Sequence, residues 1–334
     1  MRLALLLLSA ASIGSGQEET TFRTDVQLVR ILATVKDQAG ALVGSLEKDD
    51  FTVADNGIPQ RISIFERQTD QPLSVAVLID NSGSTAKDLK FETDSVTRFL
   101  KVLLREGNPQ DAVALYSFNW QIVKQNGFTR NVASVERSLK ALRGEAGTAM
   151  YDAILLASLD IEDRMGRKVL VIVTDGGDTV SRTDFQRATE AAQLADAVIY
   201  PVLVVPITNE AGRNVGGENA LTTLAERTGG RVFAPSLGAA LDQTFDQIIR
   251  DLRTQYLLAF YPKDVPPTRE RFHTLQITLS NPQLQVKARN GYYGEAPPVT
   301  PRADSTPESD SVRKRKPATV QPAPAKQRQG VSQN

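Results

Sequence analysis

Between residues 73 and 252, short apolar runs alternate with stretches of helical periodicity, and this alternation constrains the fold more than any other feature. The runs lie at 74–79, 112–118, 169–174, 198–205 and 231–234. A strand covered on both faces reads this way because neither side of it meets water. Between the runs, Tyr151, Ile154, Leu155, Ser158 and Leu159 fall on one helical face, as do Leu241, Phe245, Ile248, Ile249 and Leu252. Thr228-Gly229-Gly230 reads as a helix stop. The pattern predicts an α/β fold: a doubly wound, mostly parallel sheet with helices on both faces.

The first run ends at a carboxylate, in Leu78-Ile79-Asp80-Asn81-Ser82-Gly83-Ser84. Asn81 and Gly83 suit the turn that follows a strand. Asp80, Ser82 and Ser84 then face the crevice at the carboxyl ends of the strands, where open α/β sheets bind ligands. Asp-x-Ser-x-Ser alone is a weak signal, since Asp and Ser gather in turns for their backbone hydrogen bonds. Two later segments strengthen it. The loop at 144–152 leads into a helix and offers Thr148, and the run at 169–174 ends on Asp175, followed by Gly176-Gly177. Carboxylates and hydroxyls are hard donors that suit Mg²⁺, Mn²⁺ or Ca²⁺.

In these residues the chain resembles the von Willebrand factor type A (VWA) domain and its metal-ion-dependent adhesion site. Asp80, Ser82 and Ser84 match the family's Asp-x-Ser-x-Ser, Thr148 its lone threonine and Asp175 its second aspartate. The resemblance implies a Rossmann-like VWA domain over 70–253. It also implies one Mg²⁺ (or Mn²⁺ or Ca²⁺) at those five residues, and a protein partner whose Asp or Glu completes the ion's shell. Three hydroxyls and two carboxylates cannot close a cage around an ion that takes six or more oxygens. An exchangeable position remains.

The segments on either side, 22–68 and 254–294, read as β structure. Strand patterns occupy 26–35, 255–261, 272–280 and 283–288, and the runs 51–53 and 62–65 flank Asp55-Asn56-Gly57, a type I′ hairpin signal. Neither flank has enough strands to be stable alone. Together they predict one small β-sandwich into which the VWA domain is inserted. This order also resembles the VWFA-related proteins common in Acidobacteria, with Tyr256, Phe260, Tyr261, Tyr292 and Tyr293 fitting their Tyr-rich last segment.

Charge is balanced, with 39 basic and 39 acidic residues, so no overall field recruits nucleic acid. There is no cysteine and only one histidine, His273. That excludes thiolate chemistry and a His-rich metal site. Asp80-Asn81-Ser82-Gly83 and Gly147-Thr148-Ala149-Met150 resemble segments of subtilisin-like proteases, but Ala149 stands where the nucleophile belongs and no histidine lies between them. The expectation is a binding protein, not an enzyme. The alternatives are a metal-dependent hydrolase, or a structural sandwich protein whose metal site is non-functional. Asp178 is expected to serve a turn before a helix capped by Ser181 or Thr183, Asp152 to favour a helix start, Trp120 to pack inward, and His273 to have no functional role.

Residues 1–16 read as a secretory signal peptide: Arg2, an apolar core at 3–13, then Gly14-Ser15-Gly16. That core falls short of the roughly twenty apolar residues that span a bilayer. With no later apolar anchor, the expectation is an exported bacterial protein, periplasmic, at the cell surface or secreted. Residues 295–334 are rich in Pro, Ala, Gln and Ser, carry Arg313-Lys314-Arg315-Lys316, and read as a disordered, solvated tail.

Overall fold

The computed structural model describes residues 28–67, 71–204, 215–266, 268 and 271–294. The expected signal peptide and tail lie outside the described residues.

The central sheet has five strands. β5 (Leu73–Asp80) lies at its middle, flanked by β6 (Ala112–Phe118) and β8 (Arg167–Thr174), with β7 (Ile122–Thr129) and β9 (Ala197–Leu203) at the edges. All neighbours pair in parallel except β7, which runs antiparallel to β6. Every residue of β5 is buried, as the unbroken apolar run requires.

Its two faces are covered by different helices. Val75, Val77 and Ile79 point toward α1 (Leu89–Glu106), α2 (Val132–Ala141) and α6 (Ala239–Thr254). Ala76 and Leu78 meet α3 (Met150–Ile161), α4 (Phe185–Leu194) and α5 (Val215–Thr228). Each large aliphatic side chain so enclosed contributes about 1.5–3 kcal/mol. Strand order reverses between β5 and β8, and at such a switch point two loops diverge and leave a crevice.

The flanks interleave. One four-stranded sheet runs β12 (Gln285–Lys287), β1 (Val29–Lys36), β10 (Tyr256–Phe260), β4 (Ile64–Glu66). The other runs β13 (Gly291–Tyr293), β11 (Phe272–Leu279), β2 (Phe51–Asp55), β3 (Ile58–Gln60). Strands from before and after the central domain therefore share both sheets, alternating in the first and standing two beside two in the second. Between them Ile31, Val53, Tyr256, Leu258 and Phe260 form one core. Tyr256 also ties in a loop of the N-terminal flank, its hydroxyl donating to the Val43 carbonyl and accepting from the Leu46 amide.

Three local expectations need correction, and one strand was not expected. The hairpin turn does fall at Asn56-Gly57, with φ of +46° and +80°, the two left-handed residues a type I′ turn requires. The returning strand, however, is β3, which starts immediately after the turn and carries Pro59 on a sheet edge. Residues 62–65 instead lead into β4, in the other sheet. The run at 231–234 makes only a single bridge, Val202 with Phe233, because Pro235 follows and has no N–H for a ladder. α3 buries Met150, Ala153, Ile154, Ala157, Ser158 and Ile161 while Leu159 is 57% exposed. The helix turns its small residues inward, which rotates its buried face away from the expected one. Finally, the polar edge strand β7, mostly half-exposed, has no clear apolar alternation.

Candidate metal centre

β5 delivers Asp80 to the switch point, and the residue is completely buried. The Ser82 amide donates to one carboxylate oxygen at 2.8 Å, and the Thr174 hydroxyl, at the end of β8, donates to the other at 2.6 Å. Thr85 folds the loop back over the strand end, its hydroxyl donating to the carbonyls of Asp80 and Ser82. This brings the Ser82 and Ser84 hydroxyls to 3.1 Å from each other. Ser84 also hydrogen-bonds the half-buried Asp175 carboxylate. Asp80, Ser82, Ser84 and Asp175 thus form one connected set of oxygens.

Thr148, only 8% exposed, arrives on a separate loop pinned across the same crevice. The Glu145 amide donates to the Asn81 carbonyl, the Asn81 side chain donates to the Arg143 carbonyl, and the Ala149 amide donates to the Asn119 carbonyl. The Thr148 amide meets the Thr179 hydroxyl, and the Thr179 amide returns to the Thr148 carbonyl. Gly147 holds φ at +86°, and a Cβ there would stand 3.1 Å from that of Trp120, so the loop needs glycine at this point.

The electrostatics are one-sided. Burial pushes the Asp80 carboxyl up to about 6, against the hydrogen bonds from Thr174 and Ser82. Burial also raises Asp175. Glu92, in the first turn of α1, is 1% exposed. Burial pushes its carboxyl up to about 8, with Asp80, Asp175 and Asp88 adding repulsion. Its Oε2 is buried without a hydrogen-bond partner. Sequence reasoning missed Glu92. The signal was available, because Leu89, Glu92, Val96, Phe99 and Leu103 follow the three- and four-residue spacing of a buried stripe, and an acid in such a stripe is out of place.

The donor set fits a hard divalent cation. It combines hydroxyls with two carboxylates, and the buried negative charge is balanced by no cation among those setting the Asp80, Asp175 and Glu92 acidities. Among the described residues, no group of three acidic, histidine or cysteine side chains is arranged to hold an ion by itself. The hydroxyls would have to share the work.

Neighbouring residues take other roles. Asp178 accepts from the amides of Tyr151 and Ser181 and from the Ser181 hydroxyl, binding its loop to the start of α3. The cap of α4 is Asp184, which accepts from the Arg187 amide, not Ser181 or Thr183 as expected. Asp152 accepts from the amides of Arg182 and Thr183. Trp120 is not packed inward but 55% exposed, its indole donating to Glu145 at the rim of the crevice. A turn-forming hairpin tip beside the site left no apolar pocket to receive it.

A doubly wound α/β domain with hydroxyl and carboxylate side chains at its switch point defines the class. The family model of the von Willebrand factor type A domain matches residues 74–247, more than half of the chain, and the chain belongs to that family. No curated protein matches it. Among solved structures it is similar to the vWF domain of the type V pili tip protein Mfa5 from Porphyromonas gingivalis. There the identity is 15% and the TM-score 0.44, over 54% of this chain and 94% of that one. The PilB minor pilin from Streptococcus sanguinis gives 14% and 0.44, over 56% of this chain and 62% of PilB. An aerotolerance-related membrane protein from Bacteroides fragilis gives 17% and 0.43, over 54% and 98%. No helix among the described residues is long and apolar enough to cross a membrane.

Proposed function

We propose that the chain is an exported binding protein that holds one divalent cation, Mg²⁺ or else Mn²⁺ or Ca²⁺, at Asp80, Ser82, Ser84, Thr148 and Asp175. The ion presents an open position to an Asp or Glu side chain of a protein partner. The observation that carries this reading is the connected set of Asp80, Ser82, Ser84 and Asp175 oxygens at the crevice, with Thr148 on the loop pinned across it and, among the described residues, no basic side chain setting the acidity of the two carboxylates. Burying ionised carboxylates without a counter-charge is unfavourable by several kcal/mol. A bound divalent ion removes that cost and supplies a Lewis acid that attracts an external carboxylate.

The protein's own groups do the rest. Asp80, fixed by Ser82 and Thr174, orients the set. The pinned 144–149 loop sets where Thr148 stands, and Trp120 and Glu145 shape the rim that a partner would touch. The test is capture of partners from the parent cell envelope with and without chelator. Capture should vanish in EDTA, return with added Mg²⁺, and weaken with Thr148→Ala or Ser82→Ala. Capture indifferent to EDTA and to both substitutions would overturn the reading.

A further inference from the structure

Glu92 is a buried acid that the fold leaves without a counter-charge. Its side chain is shut off from water, one oxygen has no partner, and the charged groups acting on it are Asp80, Asp175 and Asp88, all of its own sign. Buried acids elsewhere in the molecule are treated differently. Asp251, 2% exposed, also has one oxygen without a hydrogen bond, but it is neutralised by Arg231 at 2.8 Å and Lys36 at 3.8 Å. Asp111, 1% exposed, accepts the Leu73 amide at 2.7 Å. An orphaned buried acceptor costs about 1–3 kcal/mol, and more when charged. A glutamine or leucine would suit that stripe position of α1 better, and the acid needs a reason to be there.

Resting on the metal-binding reading above, we propose that Glu92 is a positioning residue of the metal centre. It acts from outside direct coordination, accepting a hydrogen bond from water in the ion's hydration shell. Two observations support that placement. The carboxylate is close enough to feel Asp80 and Asp175, yet among the described residues no three acids are arranged to hold an ion together. Small divalent ions keep several waters, and a buried acceptor with a spare oxygen fits such a water.

The charge balance adds a second consequence. Asp80 and Asp175 together match a divalent ion, and Glu92, ionised once the ion's positive charge stands beside it, makes the centre one charge negative. Glu92 therefore strengthens the hold on the ion while making it less attractive to a carboxylate from outside. It restrains the open position until a partner supplies enough contact to compete.

The test compares wild type with Glu92→Gln, which keeps the side chain's size and removes the charge. Above pH 8, where Glu92 is ionised even without metal, metal-free Glu92→Gln should melt at a higher temperature than metal-free wild type, so folding is not at risk. Calorimetry should nevertheless show its Mg²⁺ affinity reduced about tenfold or more, the range in which outer-shell partners act. The Mn²⁺-loaded variant should bind acetate more tightly than Mn²⁺-loaded wild type, read from the relaxation of water bound at Mn²⁺. A purely structural Glu92 would leave Mg²⁺ affinity unmoved. Wild type that binds Mg²⁺ as tightly as Glu92→Gln, or a variant less stable than wild type without metal above pH 8, would overturn this inference alone. Wild type that binds no metal would overturn the metal-binding reading and this inference with it.

Discussion

Asp55 in the sandwich and Glu92 in the VWA domain are both sealed from solvent, at 0% and 1% exposure, yet they are furnished in opposite ways. Asp55 accepts from the Tyr292 hydroxyl at 2.5 Å and lies 3.0 Å from His273 Nδ1, and the His273 and Tyr292 rings stack at 4.7 Å. The three side chains come from β2, β11 and β13, so the acid is the joint between strands contributed by both flanks. The chain's only histidine, read from sequence as having no functional role, is part of that joint. Asp80 and Asp175 have hydroxyls and amides, Glu92 is given neither, and no basic residue sets the acidity of any of the three. A buried acid that holds a fold together is supplied with its partners. One left short of them is waiting for something to bind.

The sharpest way to break this contrast is Asp55→Ala. It strands the Tyr292 hydroxyl and His273 inside the sandwich and should cost about 3–5 kcal/mol in urea unfolding, as removing one member of a buried pair does. A cost under about 1 kcal/mol would show that the joint is decorative.

The metal centre should answer to pH in the opposite sense from a paired acid. An acid whose folded pKa is raised binds extra protons in the folded state, so its contribution is greatest at low pH and falls as pH rises through the folded value. For Asp80 that window runs from 3.8 to about 6, and for Glu92 from 4.5 to about 8. Metal-free protein should therefore lose on the order of 5 kcal/mol between pH 5 and pH 8. Added Mg²⁺ should return most of it at the upper end. Thermal unfolding across that range, with and without metal, reads both. Stability that rises with pH in chelator would contradict the account of these carboxylates.

Smaller effects separate the site from its scaffolding. Asp178→Ala removes the acceptor for one amide of α3 and one of its own loop and should cost about 1–2 kcal/mol while lowering metal affinity only slightly. A complete loss of metal binding would make Asp178 a ligand. Trp120→Ala, on an exposed rim side chain, should change stability by less than about 0.5 kcal/mol. If it weakens partner capture while sparing metal affinity, the rim contributes to recognition. If it lowers stability by more than 1 kcal/mol, Trp120 is a packing residue after all.

How much of this was readable beforehand follows from what each residue's surroundings demand. Asp80 and Asp175 stand out in the sequence because each ends an unbroken apolar run, and a strand buried on both faces has no other way to look. The interleaved flanks were legible because neither half could cover its own apolar face. Where several residue types satisfy the same packing, the reading failed. α3 buries alanines and exposes leucines because the sheet and α4 come close on its inner side, which periodicity weighted by side-chain size cannot see. Glu92 was hidden among the other charged residues of α1, and only its place in the stripe, not its type, marked it. The 62–65 run looked like a hairpin partner because strand pairing is a tertiary choice. A two-residue type I′ loop forces the returning strand to begin at once, and that leaves 62–65 free for the other sheet.

The central claim is that the oxygens gathered by Asp80 and its neighbours form a cation site and not merely a well-bonded turn. Isothermal titration of chelator-stripped protein with Mg²⁺ and Mn²⁺ tests it most directly, with Asp80→Asn as the comparison. The account predicts a single saturable site in wild type, lost in Asp80→Asn, whose metal-free stability matches or exceeds that of wild type because a buried charge has been removed. Absence of binding in wild type, or equal binding by Asp80→Asn, would contradict it.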